Sequence, residues 1–432
     1  MNGAGDFGGE ILFLAHRIPY PPNKGEKIRA WNMIRHLARL APIHIGAPVD
    51  DPADIEHRAA VEAVAASACL PQVDPRVRKL RASLGLFTGE PLTLPYFRNR
   101  TLKHWADTVR ANRKIVLEVV YSSGAITYCT PEPRPGTARL VDFVDLDSDK
   151  WRQYARTAGL AGRIVYGREA QTLAAEEVRI ARSAHASTFV SEQEAALFRA
   201  AAPELADTIH AVGNGVDIDY FSPAHSFDSP FAAAPHIVFT GAMDYWANVD
   251  AVLWFANDIL PRIREEVPQA VFVVVGSNPA PEVCALADRP DVLVTGRVPD
   301  VRPYVAFADV CVAPMRIARG IQNKVLEGMA MGRAVVTTSM GFEGIDATPG
   351  EDLVVADGAD AIADEVVRLL GDPAARGQLG DAARSRAVES FGWDARLADL
   401  DRVIGLARGR AGHDLMQGAG RPLEAAAEGQ TT

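Results

Sequence analysis

The chain has 432 residues, 48% of them apolar and 23% charged, with a formal net charge of -10. That length exceeds one ordinary hydrophobic core and calls for two domains or three, while the mixed composition excludes a disordered or fibrous chain. The acidic balance argues against a nucleic-acid partner, the scattered Cys69, Cys129, Cys284 and Cys311 form neither a disulfide frame nor a zinc site, and no apolar run reaches the roughly 18 residues of a membrane span.

The first residues lack the basic and apolar regions of a secretion signal, so a cytoplasmic protein is expected. Ile11 to Ala15 reads as a buried strand, followed by a Pro/Gly loop from Pro19 to Gly25 and a helix with Ile28, Trp31, Ile34, Leu37 and Ala38 on one face. Further strands fit Ile43 to Ala47, Val119 to Ser122, Arg139 to Phe143 and Ser187 to Val190, with a long helix between Gly162 and Arg182. Between Arg76 and Lys114 there are ten Lys/Arg against Glu90 and Asp107, a local net charge of +8. The apolar residues interleaved there suit contact with an anionic membrane surface as well as an ordinary solvated helix.

Turn and linker residues cluster from Ala201 to Pro235, and the rhythm then restarts. Strands fit His236 to Thr240, Val271 to Val275, Val292 to Val294, Val310 to Ala313, Ala334 to Thr337 and Leu353 to Val355. Alternation of this kind predicts an α/β protein of two doubly wound parallel sheets. Ligands of such sheets bind beyond the carboxyl ends of the strands, so two facing halves would share a cleft. After about Gly405 the chain turns polar and Gly/Ala-rich, which predicts a disordered tail.

The segment from Gly320 to Gly332 is the most specific one. A glycine-opened loop (Gly320, Ile321, Gln322, Asn323) enters a helix on which Lys324 and Glu327, three residues apart, share a face. A helix start and a lysine attract phosphate, and a carboxylate accepts hydrogen bonds from ribose hydroxyls, so this pattern fits a nucleoside diphosphate. An i,i+3 surface ion pair is the plainer alternative.

Asn214-Gly215-Val216-Asp217, Phe239-Thr240-Gly241-Ala242-Met243, Phe272 to Gly276 and the Gly320 segment follow in one order, and Phe391-Gly392-Trp393-Asp394 opens a last helix. Together they resemble the donor-binding half of glycosyltransferase family 4, of GT-B fold. The runs His16 to Lys27 and Asp142 to Trp151 resemble the sugar transferases of bacterial exopolysaccharide and PEP-CTERM exosortase systems. The resemblance implies an acceptor-binding domain over 1–208, a nucleotide-sugar-binding domain over 209–390, a helix over 391–408 crossing back to the first domain, and a disordered tail over 409–432. It also implies a retaining, metal-independent transferase without cofactor, moving a hexosyl-type unit from a nucleotide sugar to a saccharide or lipid-linked acceptor.

Carried over by position, Glu327 matches the ribose-binding glutamate of the family's paired-glutamate motif. Arg319 stands where the first glutamate is usual, and the loop from Gly241 to Asn248 lacks the usual Arg and Lys. Lys324 and Arg319 are therefore expected to hold the diphosphate, with Gly25 and Gly241 allowing close backbone approach. Asp142 and Asp145 are candidates for the carboxylate that orients the acceptor hydroxyl. The plainer alternative for both is solvation or capping of the next helix. The D-x-D spacing of Asp145, Asp147 and Asp149 mimics a metal site of another fold and is discounted. Two other classes remain open: a nucleotide-sugar 2-epimerase of the same fold, and a non-catalytic nucleotide-binding subunit.

Overall fold

The computed structural model describes residues 7–419 except Asn23, Thr88, Ala233 and Arg319. The chain forms two compact units, one of residues up to Val212 joined by those from Leu397 on, the other of Gly213–Arg396.

Unit 1 holds β1 (Glu10–Ala15), β2 (Ile43–Gly46), β3 (Ser67–Cys69), β4 (Ile115–Tyr121), β5 (Ala138–Val144), β6 (Ala186–Phe189) and β7 (Ile209–Ala211) in the order β3-β2-β1-β4-β5-β6-β7. Every pairing is parallel, with Ile11 opposite Ile43 on one side and Leu117 on the other. Ile11 to Ala15 are buried without interruption because helices cover both faces of such a sheet.

Helix Gly25–Leu40 presents a face rotated from the expected one. Ala30, Met33, Ile34 and Leu37 are buried, whereas Ile28, Trp31 and Ala38 are only half-buried. Two charged side chains, Lys27 and Arg29, go inward instead, each onto a buried acid: Lys27 Nζ to Asp54 at 2.5 Å and Arg29 to Asp142 at 2.7 Å. Charge pairing thus turns the helix in a way that hydrophobic periodicity does not register.

Unit 2 holds β8 (His236–Thr240), β9 (Val271–Val275), β10 (Val292–Gly296), β11 (Val310–Ala313), β12 (Val335–Thr337) and β13 (Val354–Val355) in the order β10-β9-β8-β11-β12-β13, again parallel throughout. Numbered from its own first strand this is 3-2-1-4-5-6, the Rossmann order.

Two separately noted motifs meet in this unit. Val216 N–H donates to Phe391 O at 2.8 Å, and Val216 bridges Gly392. A Cβ on Gly215 would lie 2.9 Å from Trp393 Cα, which explains a glycine after Asn214. The last helix, Trp393–Ala419, runs past the expected end at 408. Its extension packs onto unit 1, with Ala411 buried and Arg410 donating to His185 O (2.8 Å) and Asp207 O (2.6 Å). The expected disordered tail over 409–432 is corrected to that extent, and residues 420–432 lie outside the described ones. Among the described residues, no helix is long and apolar enough to cross a membrane.

Candidate functional site

In unit 2 the strand order reverses between β8 and β11, which are neighbours whose connections leave in opposite directions. A crevice opens at such a switch point beyond the carboxyl ends of the two strands. The loop at Gly241 leaves β8 there, and the Gly320 segment follows β11.

The Gly241 loop is fixed by close backbone contacts. Gly241 N–H donates to Val275 O (3.0 Å) and Met243 N–H to Ser277 O (2.8 Å), which stitches it to the loop after β9. A Cβ on Gly276 would fall 1.6 Å from Gly241 O, and one on Gly241 would meet Asn248 Nδ2 at 2.7 Å. Only bare backbone fits at Gly276, and a side chain on Gly241 would displace the Asn248 amide.

Across the switch point, Gly320 adopts a φ of +62°, a conformation that favours glycine, and the chain enters helix Asn323–Ala330 with Gln322 as its extended N-cap. The first turn leaves the N–H groups of Asn323 and Lys324 without intrahelical acceptors. Val325 N–H already donates to Gln322 O at 3.0 Å. Ile321 lies against Gly213, where a Cβ would come within 3.4 Å of Ile321 Cδ1. Asn323 Oδ1 is buried and accepts no hydrogen bond from the described residues.

Lys324 Nζ donates to Asn248 Oδ1 and Gln322 Oε1, both at 3.2 Å. Asn248 Nδ2 in turn donates to Ala242 O at 2.9 Å, so a single amide ties the lysine to the β8 loop. Burial pulls the Lys324 ammonium down to about 8, against the opposing field of Glu327. Glu327 is pushed up to about 7 by burial, opposed by Lys324 and by a hydrogen bond with Thr240 at the end of β8. Both groups therefore titrate near neutrality. A desolvated cation beside free helix N–H groups is a site for an oxyanion, and the adjoining carboxylate is an acceptor for hydroxyls.

The sequence points to Lys324, Glu327, Gly241 and the Gly320 segment, and the structure brings them together. Asn248 and Thr240 were missed as site residues. Their contacts to the helix are tertiary, and no local pattern signals them. Arg319 lies outside the described residues.

In unit 1 the candidate carboxylates separate. Asp142 is fully buried, with Oδ2 accepting from Arg29 Nε (3.0 Å) and Nη2 (2.7 Å) and Oδ1 from Val144 N–H (2.9 Å). Its expected role at an acceptor hydroxyl is corrected. Its side chain meets helix Gly25–Leu40, where it neutralises Arg29. Asp145 is partly exposed and accepts from Lys150 Nζ at 2.7 Å, and Asp147 shares that lysine at 3.3 Å. Asp149 pairs with Arg152 at 2.6 Å, so the acids that mimic a D-x-D run are committed to cations. Gly25 begins helix Gly25–Leu40, and a Cβ there would meet nothing within 4 Å. Among the described residues, nothing packs closely enough to require a glycine at that point.

Comparison with known proteins agrees with this architecture. Sucrose-phosphate synthase from Thermosynechococcus elongatus superposes with a TM-score of 0.64 at 18% identity, over 93% of this chain and 99% of that one. Anabaena HepE in complex with UDP and glucose gives a TM-score of 0.64 at 14% identity, over 92% and 99%. The fold is GT-B. Within this GT-B chain, residues 234–372 match the family described as "Glycosyl transferases group 1", a stretch lying inside unit 2. A curated relative, D-inositol 3-phosphate glycosyltransferase of Xylanimonas cellulosilytica, is 29% identical over 223 residues, 45% of this chain. The match spans about half (50%) of that relative's length.

Proposed function

We propose that this protein is a glycosyltransferase that binds a nucleotide-sugar donor at the carboxyl edge of unit 2 and passes the sugar to an acceptor held by unit 1. The observation that carries this reading is the placement of Lys324 and Glu327, one helical turn apart, at the switch point between β8 and β11. The match of that stretch to group 1 glycosyl transferases supports it. A uridine nucleotide is the donor class we favour, because HepE was solved with UDP and glucose.

In this reading Lys324 and the helix start stabilise the charge that develops on the departing diphosphate, and Glu327 holds the ribose hydroxyls. Asp145, kept in place by Lys150, remains the candidate for orienting the acceptor hydroxyl. The finer assignments rest on resemblance: family 4 membership, retention of configuration, a hexosyl unit, independence of metal, and a place in exopolysaccharide or PEP-CTERM-associated synthesis with a lipid-linked acceptor. Peripheral contact with the cytoplasmic face of a membrane fits the exposed Val77, Leu80 and Leu86 interleaved with the exposed cations Arg76, Lys79 and Arg81.

A panel of nucleotide sugars tests the proposal, incubated with the purified protein with and without a membrane lipid extract. Release of free nucleoside diphosphate that depends on the extract is the expected result. Conversion of the sugar with no release overturns transfer in favour of epimerisation, and binding without either change indicates a non-catalytic subunit.

A further inference from the structure

The switch point of unit 1 lies between β1 and β4, and a second cluster of polar and charged residues gathers beyond it, apart from the donor site. His16 and Arg17 follow β1 directly, Asp50 follows β2, and Arg78 arrives from helix Pro75–Leu84. The His16 ring stacks on Tyr121, the last residue of β4, with centroids 6.1 Å apart, and meets Phe97 edge-on at 5.4 Å. Arg78 packs over the same Phe97 ring at 5.5 Å and over Tyr96 at 5.3 Å. Arg17 Nη2 and Arg78 Nη1 approach one oxygen of Asp50, at 3.5 Å and 3.8 Å.

Arg78 is the unusual member. It is 3% exposed, yet Nη1 and Nη2 have no hydrogen-bond partner among the described residues. Its approach to Asp50 is too long for a hydrogen bond. Arg17 Nε and His16 Nδ1 are likewise buried without partners. Leaving a buried guanidinium without hydrogen bonds is unfavourable, since buried charges are normally hydrogen-bonded as well as paired. Most of the unfilled positions are N–H donors on two guanidinium groups that converge on Asp50, Arg17 also donating through Nη1 to Glu26 Oε1 at 3.0 Å. A planar donor fork of this kind matches the oxygens of phosphate or carboxylate.

We propose that this cluster binds an oxyanion, the phosphate or carboxylate of the molecule that unit 1 takes as acceptor, with Arg78 as its principal ligand and the unpartnered Nε of Arg17 as the second. The identification of that molecule as acceptor rests on the transferase reading, whereas the oxyanion site itself does not. Binding of inorganic phosphate to the full chain, followed by phosphorus NMR titration, tests it without turnover. Because the donor site also attracts phosphate, the titration is run in the Lys324→Met background. There Arg78→Met is expected to weaken phosphate binding roughly tenfold or more. Arg78→Lys, which keeps the charge and loses the fork, should recover only part of it.

Arg17→Gln, at a half-buried position, provides the same reading if Arg78→Met does not fold. Acetate at matched ionic strength separates the two sources: saturable binding of acetate as well as phosphate points to a carboxylate-bearing ligand, and of phosphate alone to a phosphorylated one. Phosphate affinity unchanged in both arginine variants, or a response that sodium chloride reproduces, overturns the proposal. Failure here leaves glycosyl transfer standing, and absence of transfer with phosphate binding intact removes only the acceptor assignment.

Discussion

Lys324 and Glu327 show how burial sets chemistry at the level of single residues. With the lysine pulled down to about 8 and the glutamate pushed up to about 7, the pair is charged on both members only between those values. Below about 7 Glu327 gains a proton and loses acceptor capacity for ribose, and above about 8 Lys324 loses the charge that attracts diphosphate. Affinity for a nucleoside diphosphate should therefore peak in that window, measured by calorimetric titration at several pH values. Glu327→Gln should remove the acidic limb, and Lys324→Met should remove the alkaline limb and weaken binding roughly 10- to 100-fold. An affinity flat with pH would count against this site. Asp142 makes the opposite case. Asp142→Ala removes the carboxylate that neutralises the buried Arg29 and should cost about 3–5 kcal/mol of stability, seen as a lower melting temperature. Asp145→Asn, at a partly exposed position, should leave the melt near that of the native protein and slow turnover instead.

At the level of elements, strands buried on both faces were legible because their apolar runs are continuous, as in Phe272 to Val275. The short β3 and β7 escaped notice, since three residues at the outer positions of a sheet carry no periodicity. The rotation of helix Gly25–Leu40 escaped for a different reason: Lys27 and Arg29 read as a polar face until their buried acids are seen. Within the candidate site, the loop and helix were legible from glycine and charge spacing. The amide of Asn248 that joins them was not, because its partner Lys324 is 76 residues away in sequence. This coupling predicts a remote effect. Gly276→Ala places a methyl group 1.6 Å from Gly241 O, so the β8 loop must move and take Asn248 with it. Nucleotide affinity should fall about tenfold or more, with a lower melting temperature. Gly25→Ala, with no atom of the described residues within 4 Å of the added carbon, should melt like the native protein. A loss of turnover in that variant would show that substrate, not protein, occupies the space.

For the whole molecule, the chain begins in unit 1, builds unit 2 and returns, so unit 1 depends on residues added last. Leu397, Leu400, Val403 and Ile404 are buried on the returning helix. Asp401 pairs with His36 at 2.7 Å, and Arg408 donates to Phe7 O at 2.8 Å. Four buried aliphatic side chains at ~1.5–3 kcal/mol each amount to about 6–12 kcal/mol, which is comparable with the entire stability of an ordinary domain. A chain ending at Arg396 should therefore lose the cooperative unfolding of unit 1. Unit 2 has its own core, including Phe239, Phe255 and Phe272. Scanning calorimetry of the truncated chain should show one surviving transition, raised by a nucleoside diphosphate through mass action because Lys324 and Glu327 lie in the unit that remains. Two intact transitions would show that the returning helix is dispensable. A single transition that ignores nucleotide would place the donor site's binding energy outside unit 2, and would count against the assignment of Lys324 and Glu327 together.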